Sequence, residues 1–81
     1  MDKAEIQQVA SFLSDVRESL FRRRGEAALR LHLTELYRVI RRLVDANRAT
    51  ESQTVKVLLK HLALKARRYE REIERRLAVR N

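Results

Sequence analysis

Proline is absent from the 81 residues of this chain, and glycine occurs only once, at position 25. Because proline breaks helices and glycine weakens them, almost nothing in the sequence interrupts a long helix. Two Phe, two Tyr and no Trp also argue against a β-rich domain, since strands are enriched in aromatic side chains. The chain is therefore expected to be all-α.

The first helix is predicted over residues 2–22. Apolar residues recur there at steps of three and four, the spacing of one helical face, at Ile6, Val9, Leu13, Val16 and Leu20. Asp2 with Glu5 three residues later matches a capping box at the start of a helix. Arginines at 22–24 suit a helix C-terminus, and Gly25 is expected to take the left-handed conformation that follows the last turn.

Two further helices are predicted over residues 26–47 and 51–79. Asn47 continues the apolar spacing of the second helix but is polar, so it is expected to mark the helix end. Thr50 and Ser52 are competing N-caps for the third helix. One continuous helix through this point is the alternative, because no proline or glycine forbids it. The apolar stripes are Leu29, Leu33, Leu36, Ile40 and Leu43 in the second helix, and Val55, Leu59, Leu62, Ala66, Tyr69, Ile73 and Leu77 in the third.

Three amphipathic helices with short connections predict one domain over residues 1–81, an antiparallel three-helix bundle. The three-four spacing favours the shallow crossing angles of coiled coils. A domain of this size has a thin stability margin, and small domains often gain stability by oligomerising. Self-association is therefore expected.

A second apolar strip lies on the back of the third helix. At about 100° per residue, Val57 and Leu64 point away from the main stripe, with His61 near them. A monomeric bundle would leave all three exposed. The strip is therefore a candidate homo-oligomer interface, although scattered exposed apolar residues are also ordinary on monomers.

The formal net charge is +8, and the first 20 residues hold only two of the 19 bases but four of the 11 acids. The positive charge therefore belongs to the second and third helices and the first connection. Arginine without a nearby acid is what a phosphate backbone would neutralise. The candidate nucleic-acid-binding residues are Arg38, Arg41, Arg42, Lys56 and Lys60, where few acids lie within a turn, together with Arg67 and Arg71.

The C-terminal part of the third helix has a simpler interpretation. Arg68 with Glu72, and Glu72 with Arg76, are pairs of opposite charge four residues apart, which are neighbours on a helix surface. These pairs predict a self-compensated, solvated surface there.

Side chains for catalysis or metal binding are sparse. Cysteine is absent, and the two histidines, His32 and His61, lie on different helices. His32 is expected to make a hydrogen bond at the edge of the bundle, and no serine or threonine is expected to have an adjacent base. We therefore expect no enzyme activity, no metal and no cofactor. Without a signal-peptide pattern or an apolar run of about 20 residues, the expected location is cytoplasmic.

Two hypotheses for function remain open. The first is a small nucleic-acid-associated protein that binds DNA or RNA through the backbone, with weak sequence selectivity, as a homo-oligomer. Few aromatic residues argue against stacking on single-stranded bases. The second is a helical interaction or assembly module, in which the strip at Val57, His61 and Leu64 contacts an acidic protein partner.

Overall fold

The computed structural model describes residues 1–80, and Asn81 lies outside the described residues. The chain forms three α-helices, α1 (Lys3–Phe21), α2 (Glu26–Ala49) and α3 (Gln53–Arg80). The predicted all-α fold of three helices is confirmed, and each predicted helix end agrees with the structure to within two residues.

The helices run up, down and up. Contacts of Ser19 with His32 and of Glu5 with Arg42 place α1 antiparallel to α2. The hydrogen bond from Tyr37 to Glu74 places α3 antiparallel to α2. The 28 residues of α3 span about 42 Å at about 1.5 Å per residue. The helix therefore runs the full length of a molecule that measures 43 × 19 × 15 Å.

The core is a single cluster of apolar side chains from all three helices. The stripes predicted from the three-four spacing supply most of it, because those positions share one side of each helix. The closest packing is between α2 and α3, and α1 lies against this pair with fewer contacts. The largest fully buried side chains are Leu13 and Val16 from α1, Leu29, Leu36 and Leu43 from α2, and Leu59 and Ile73 from α3.

The beginning of α1 follows the prediction. The Asp2 carboxylate accepts a hydrogen bond from the Glu5 backbone N–H at 2.8 Å, and the Glu5 carboxylate accepts one from the Asp2 N–H at 3.3 Å. This capping box satisfies backbone donors that the first turn leaves without partners.

The end of α1 corrects the prediction for Gly25. The left-handed residue is Arg23, with φ of 54°, whereas Gly25 is extended and serves as the N-cap of α2. The N–H of Arg24 bonds to the Ser19 carbonyl at 3.1 Å and the N–H of Arg23 to the Leu20 carbonyl at 3.3 Å. These bonds form a Schellman motif, so the helix ends two residues earlier than a glycine cap at position 25 requires.

The connection between α2 and α3 also differs in detail. Asn47 does not end α2, which continues to Ala49. Its side-chain amide instead donates to the Lys56 carbonyl at 2.9 Å, so its polarity is satisfied by α3. Of the two competing caps, Ser52 is the one used, because its hydroxyl accepts from the Val55 N–H at 3.3 Å. The continuous-helix alternative is therefore wrong.

Candidate nucleic-acid interface

One side of α3 carries a row of four basic residues. Lys56, Lys60, Arg67 and Arg71 lie within about 60° of one another at about 100° per residue, and they span about 22 Å of helix. Lys56 is half-buried and the other three are exposed. None of the four takes part in the ion pairs formed within residues 1–80. Their charges are therefore available to a ligand.

The neighbouring side of α2 adds Arg41 and Arg48. The hydrogen bond between Tyr37 and Glu74 shows that this side of α2 is turned towards α3, and Arg41 lies about 40° from Tyr37 around the helix. Arg48 and Lys60 line the same hollow. Both arginines are exposed and lack ion pairs within the described residues. We call the combined surface the α2–α3 basic face: Arg41, Arg48, Lys56, Lys60, Arg67 and Arg71.

Two of the predicted binding residues already have acidic partners. Arg38 pairs with Glu35 and Arg42 pairs with Glu5, each at 3.0 Å. The expectation that acids are scarce around these two arginines is wrong. Glu35 lies three residues from Arg38 on the same helix. Glu5 reaches Arg42 from α1, so no spacing in the sequence reveals that contact.

Glu72 pairs with one of its two predicted partners and with one arginine that was not predicted. It binds Arg75 at 2.7 Å and Arg76 at 2.9 Å, so the predicted pair with Arg76 is confirmed and the pair with Arg68 is wrong. Hydrogen bonds from Arg75 and Arg76 lower the pKa of the Glu72 carboxyl to about 2. Arg76 also donates to the Leu20 carbonyl at 2.8 Å, which ties α3 to the end of α1. Arg68 is left without an ion pair in the described chain.

Two acids border the C-terminal end of the basic face. Burial raises the pKa of the Glu70 carboxyl, the nearby Glu74 charge raises it further, and Arg67 and Arg71 oppose the shift. Burial, followed by the charge and hydrogen bond of Glu74, raises the pKa of Tyr37. Glu70 and Glu74 therefore offset part of the charge of Arg67 and Arg71 at this end of the face.

The predicted hydrogen bond of His32 is confirmed, and its partner is Ser19. The Ser19 hydroxyl and His32 Nε2 lie 2.8 Å apart, and the His32 ring packs against Phe12 with centroids 6.0 Å apart. The expectation that no serine lies beside a base is therefore wrong, because this base comes from another helix. Ser19 is only 7% exposed, which closes its hydroxyl to a substrate. The pair ties α1 to α2.

The predicted oligomer strip is exposed along its length. Val57 is 56% and Leu64 is 54% exposed, and with His61 and Lys60 they line a shallow hollow. Its use as an interface between copies stays a prediction.

Sequence reasoning missed Arg48 because it placed that residue in a loop, whereas α2 extends past it. It also treated Arg68 as paired, and it gave no role to Arg17 on the mostly acidic first segment. Arg17 and Arg68 line the same groove between α1 and α3. The signal for Arg48 was present, since α2 contains no residue that would stop it before position 49.

The chain matches no protein-family model, and comparisons with curated proteins and with solved structures found no significant similarity. Of the three helices of residues 1–80, none combines the length and apolar character needed to cross a bilayer. The same residues hold no cluster of three or more His, Asp or Glu side chains arranged for a metal ion.

Proposed function

We propose that the protein binds the sugar–phosphate backbone of double-stranded nucleic acid through the α2–α3 basic face. The observation that carries this proposal is the row of six basic side chains along one side of the hairpin, none of them in an ion pair within the described residues. Such a row has no structural use in the bundle, because like charges along one side repel one another.

Unpaired bases are better phosphate ligands than paired ones. A guanidinium without a carboxylate partner offers both arms of its fork to a phosphate, and the contact releases condensed counterions. Arg38 and Arg42 would first have to leave Glu35 and Glu5. We therefore assign binding to the six residues of the basic face and reduce the roles of Arg38 and Arg42.

The geometry favours contact with the backbone over reading of bases. The ridge from Lys56 to Arg71 covers about 22 Å, which corresponds to about six base pairs at about 3.4 Å each. The hydroxyl of Tyr37, the aromatic residue beside the face, is already bonded to Glu74. Helix-turn-helix proteins insert a short recognition helix into the major groove, whereas α2 and α3 are both long and regular. Affinity is therefore expected to vary little with sequence.

The test is a salt titration of binding to duplex DNA and duplex RNA of about 20 base pairs, followed by fluorescence anisotropy. Six phosphate contacts predict a slope of about −5 in log K against log salt, since each contact contributes about −0.9. Arg41→Gln with Lys60→Gln should make that slope shallower by about two. Arg38→Gln with Arg42→Gln removes the same charge and is the matched control.

Equal loss of affinity in both double variants would mean that only net charge matters, and the assignment to the basic face would then be wrong. Absence of binding to either duplex at low salt would rule out the function itself. Circular dichroism of both variants checks that helicity is retained.

A further inference from the structure

A groove of about 670 Å³ lies between α1 and α3 and borders the α2–α3 basic face, with which it shares Arg67 and Arg71. Leu20, Leu64 and Tyr69 give it an apolar lining, and five arginines surround them: Arg17, Arg67, Arg68, Arg71 and Arg75. The one acid in its lining, Glu72, is occupied by Arg75 and Arg76. The groove is therefore both apolar and positively charged.

The outer side of α3 extends this groove along the helix. Six residues recur there at steps of four, three, four, three and four, the spacing of a coiled-coil seam: Val57, His61, Leu64, Arg68, Arg71 and Arg75. All six are exposed. Leu64 lines both the groove and the hollow formed with Val57 and His61, so the two depressions are continuous.

The chemistry of this seam changes halfway. Its first half presents Val57, His61 and Leu64, and its second half presents only arginines. A ligand that matches it must bury apolar side chains at one end and place anionic groups at the other. The distance from Val57 to Arg75 is about 27 Å, which is the length of a helix of about 18 residues.

We propose that the α1–α3 groove binds an amphipathic helix of a partner protein, with apolar residues against Val57 and Leu64 and carboxylates against Arg17 and Arg68, which have no ion pair within the described residues. The bound helix packs against the outer side of α3 and the end of α1, where three-four spacing allows side chains to interdigitate.

Charge separates this occupant from the two alternatives. A second copy of the chain, with its own net charge of +8, would place arginines against these arginines in a parallel arrangement and against Val57 and Leu64 in an antiparallel one, and neither arrangement supplies an anionic group. A nucleic-acid backbone would leave Val57 and Leu64 facing phosphates and water, so the apolar half would contribute nothing. A helix that is half apolar and half acidic satisfies both halves.

The experiment uses a fluorescent helical peptide of about 18 residues, with leucines at three-four spacing in one half and glutamates at the same spacing in the other. A second peptide carries lysines in place of the glutamates. We expect anisotropy to show binding of the acidic peptide at least about tenfold tighter than of the basic one, because opposite charges attract and like charges repel across an interface.

Variants locate the site. Leu64→Glu should weaken binding of the acidic peptide at least about tenfold, since it places a charge in the apolar half. Leu31→Glu is the matched control: Leu31 is 72% exposed on α2, away from the groove, and binding should be unchanged. Arg17→Gln with Arg68→Gln should weaken binding about threefold or more, whereas Arg41→Gln with Arg48→Gln, which line neither the groove nor the hollow, should have no effect.

Three results would overturn the proposal. Equal binding of both peptides would remove the role of the arginines. A mass of two chains in sedimentation equilibrium, reduced to one by Leu64→Glu, would show that a second copy covers the groove. Displacement of the acidic peptide by duplex DNA, undiminished in the Arg41→Gln, Arg48→Gln variant, would assign the groove to nucleic acid. The proposed duplex binding can fail without affecting the peptide-binding or sedimentation measurements.

Discussion

α1 and the α2–α3 hairpin are held in the bundle by different means. The hairpin closes over a short connection and packs closely, with mostly apolar contacts along its length. α1 shares the core but makes fewer contacts, and three polar ties support it: Ser19 with His32, Glu5 with Arg42, and Arg76 with the Leu20 carbonyl. The difference indicates a hairpin scaffold with a more weakly held third helix, and it explains why the open groove lies beside α1.

The largest effects on stability should come from substitutions that open a cavity in the core, one in α1 and one in the α2–α3 hairpin. Leu13→Ala in α1 and Leu43→Ala in α2 each remove a fully buried side chain and should each lower the free energy of unfolding by about 3 kcal/mol. That is a large share of the stability expected for a fold of about this size. Chemical denaturation followed by circular dichroism measures both losses.

Amide hydrogen exchange distinguishes the two helices. If α1 is the weaker element, Leu13→Ala should accelerate exchange in α1 more than in α2 and α3, whereas Leu43→Ala should accelerate it throughout. Uniform acceleration in both variants would show that the three helices unfold as one unit, and the comparison would fail.

The tie from Arg76 should have the next largest effect. Arg76→Ala removes a charge-assisted hydrogen bond to the last turn of α1 and should destabilise the fold by about 1–2 kcal/mol. Arg75→Ala removes a neighbouring arginine that also binds Glu72 but makes no contact with α1 among the described hydrogen bonds, so it serves as the control. Equal destabilisation by the two would mean that the bond to Leu20 contributes nothing.

A stabilising change is expected at the connection that leads out of α1. Arg23 holds a left-handed conformation that is costly for a residue with a Cβ atom. Arg23→Gly should therefore raise the free energy of unfolding by about 0.5–1 kcal/mol, measured by thermal or chemical denaturation. Arg24 does not have a positive φ, so Arg24→Gly relieves no backbone strain and should be neutral or destabilising. A gain in stability in both variants would contradict the explanation.

The smallest effect concerns pH. The Glu72 carboxyl has a pKa near 2 in the folded protein and near 4.5 without its partners, so it stabilises the fold above pH about 4.5. That contribution is lost as the pH falls from about 4.5 towards 2. Because its side chain is 34% exposed, solvent and salt weaken the effect. The difference in Tm between the protein and Glu72→Gln should shrink over this range, and a constant difference would argue against the Arg75 and Arg76 clamp.

Periodicity in the sequence was sufficient to predict the helices and most of the core, because three-four spacing depends only on local geometry. The helix caps were predicted only in part. Asp2 with Glu5 is a local motif and was predicted, whereas the left-handed residue depends on where the last turn stops, and the sequence suggested Gly25 in place of Arg23.

Charge pairing was the hardest feature to predict. Spacing identifies possible partners but cannot rank them when one acid has several, as Glu72 does with Arg68, Arg75 and Arg76. It also misses partners from another helix, as for Arg42 with Glu5. The candidate interface in the structure therefore includes Arg48 and no longer includes Arg38 and Arg42. The other five residues predicted from the sequence remain candidates: Arg41, Lys56, Lys60, Arg67 and Arg71.

The up-down-up arrangement also determines how the molecule transmits tension. The start of α1 and the end of α3 lie at opposite ends of a 43 Å long axis. A pulling force applied at these two points would slide α1 lengthwise past α3, which loads the whole interface at once. The bond from Arg76 to the Leu20 carbonyl lies directly across that sliding plane. α1, the helix with the fewest contacts to the rest of the bundle, is thus also the one expected to detach first under a pulling force.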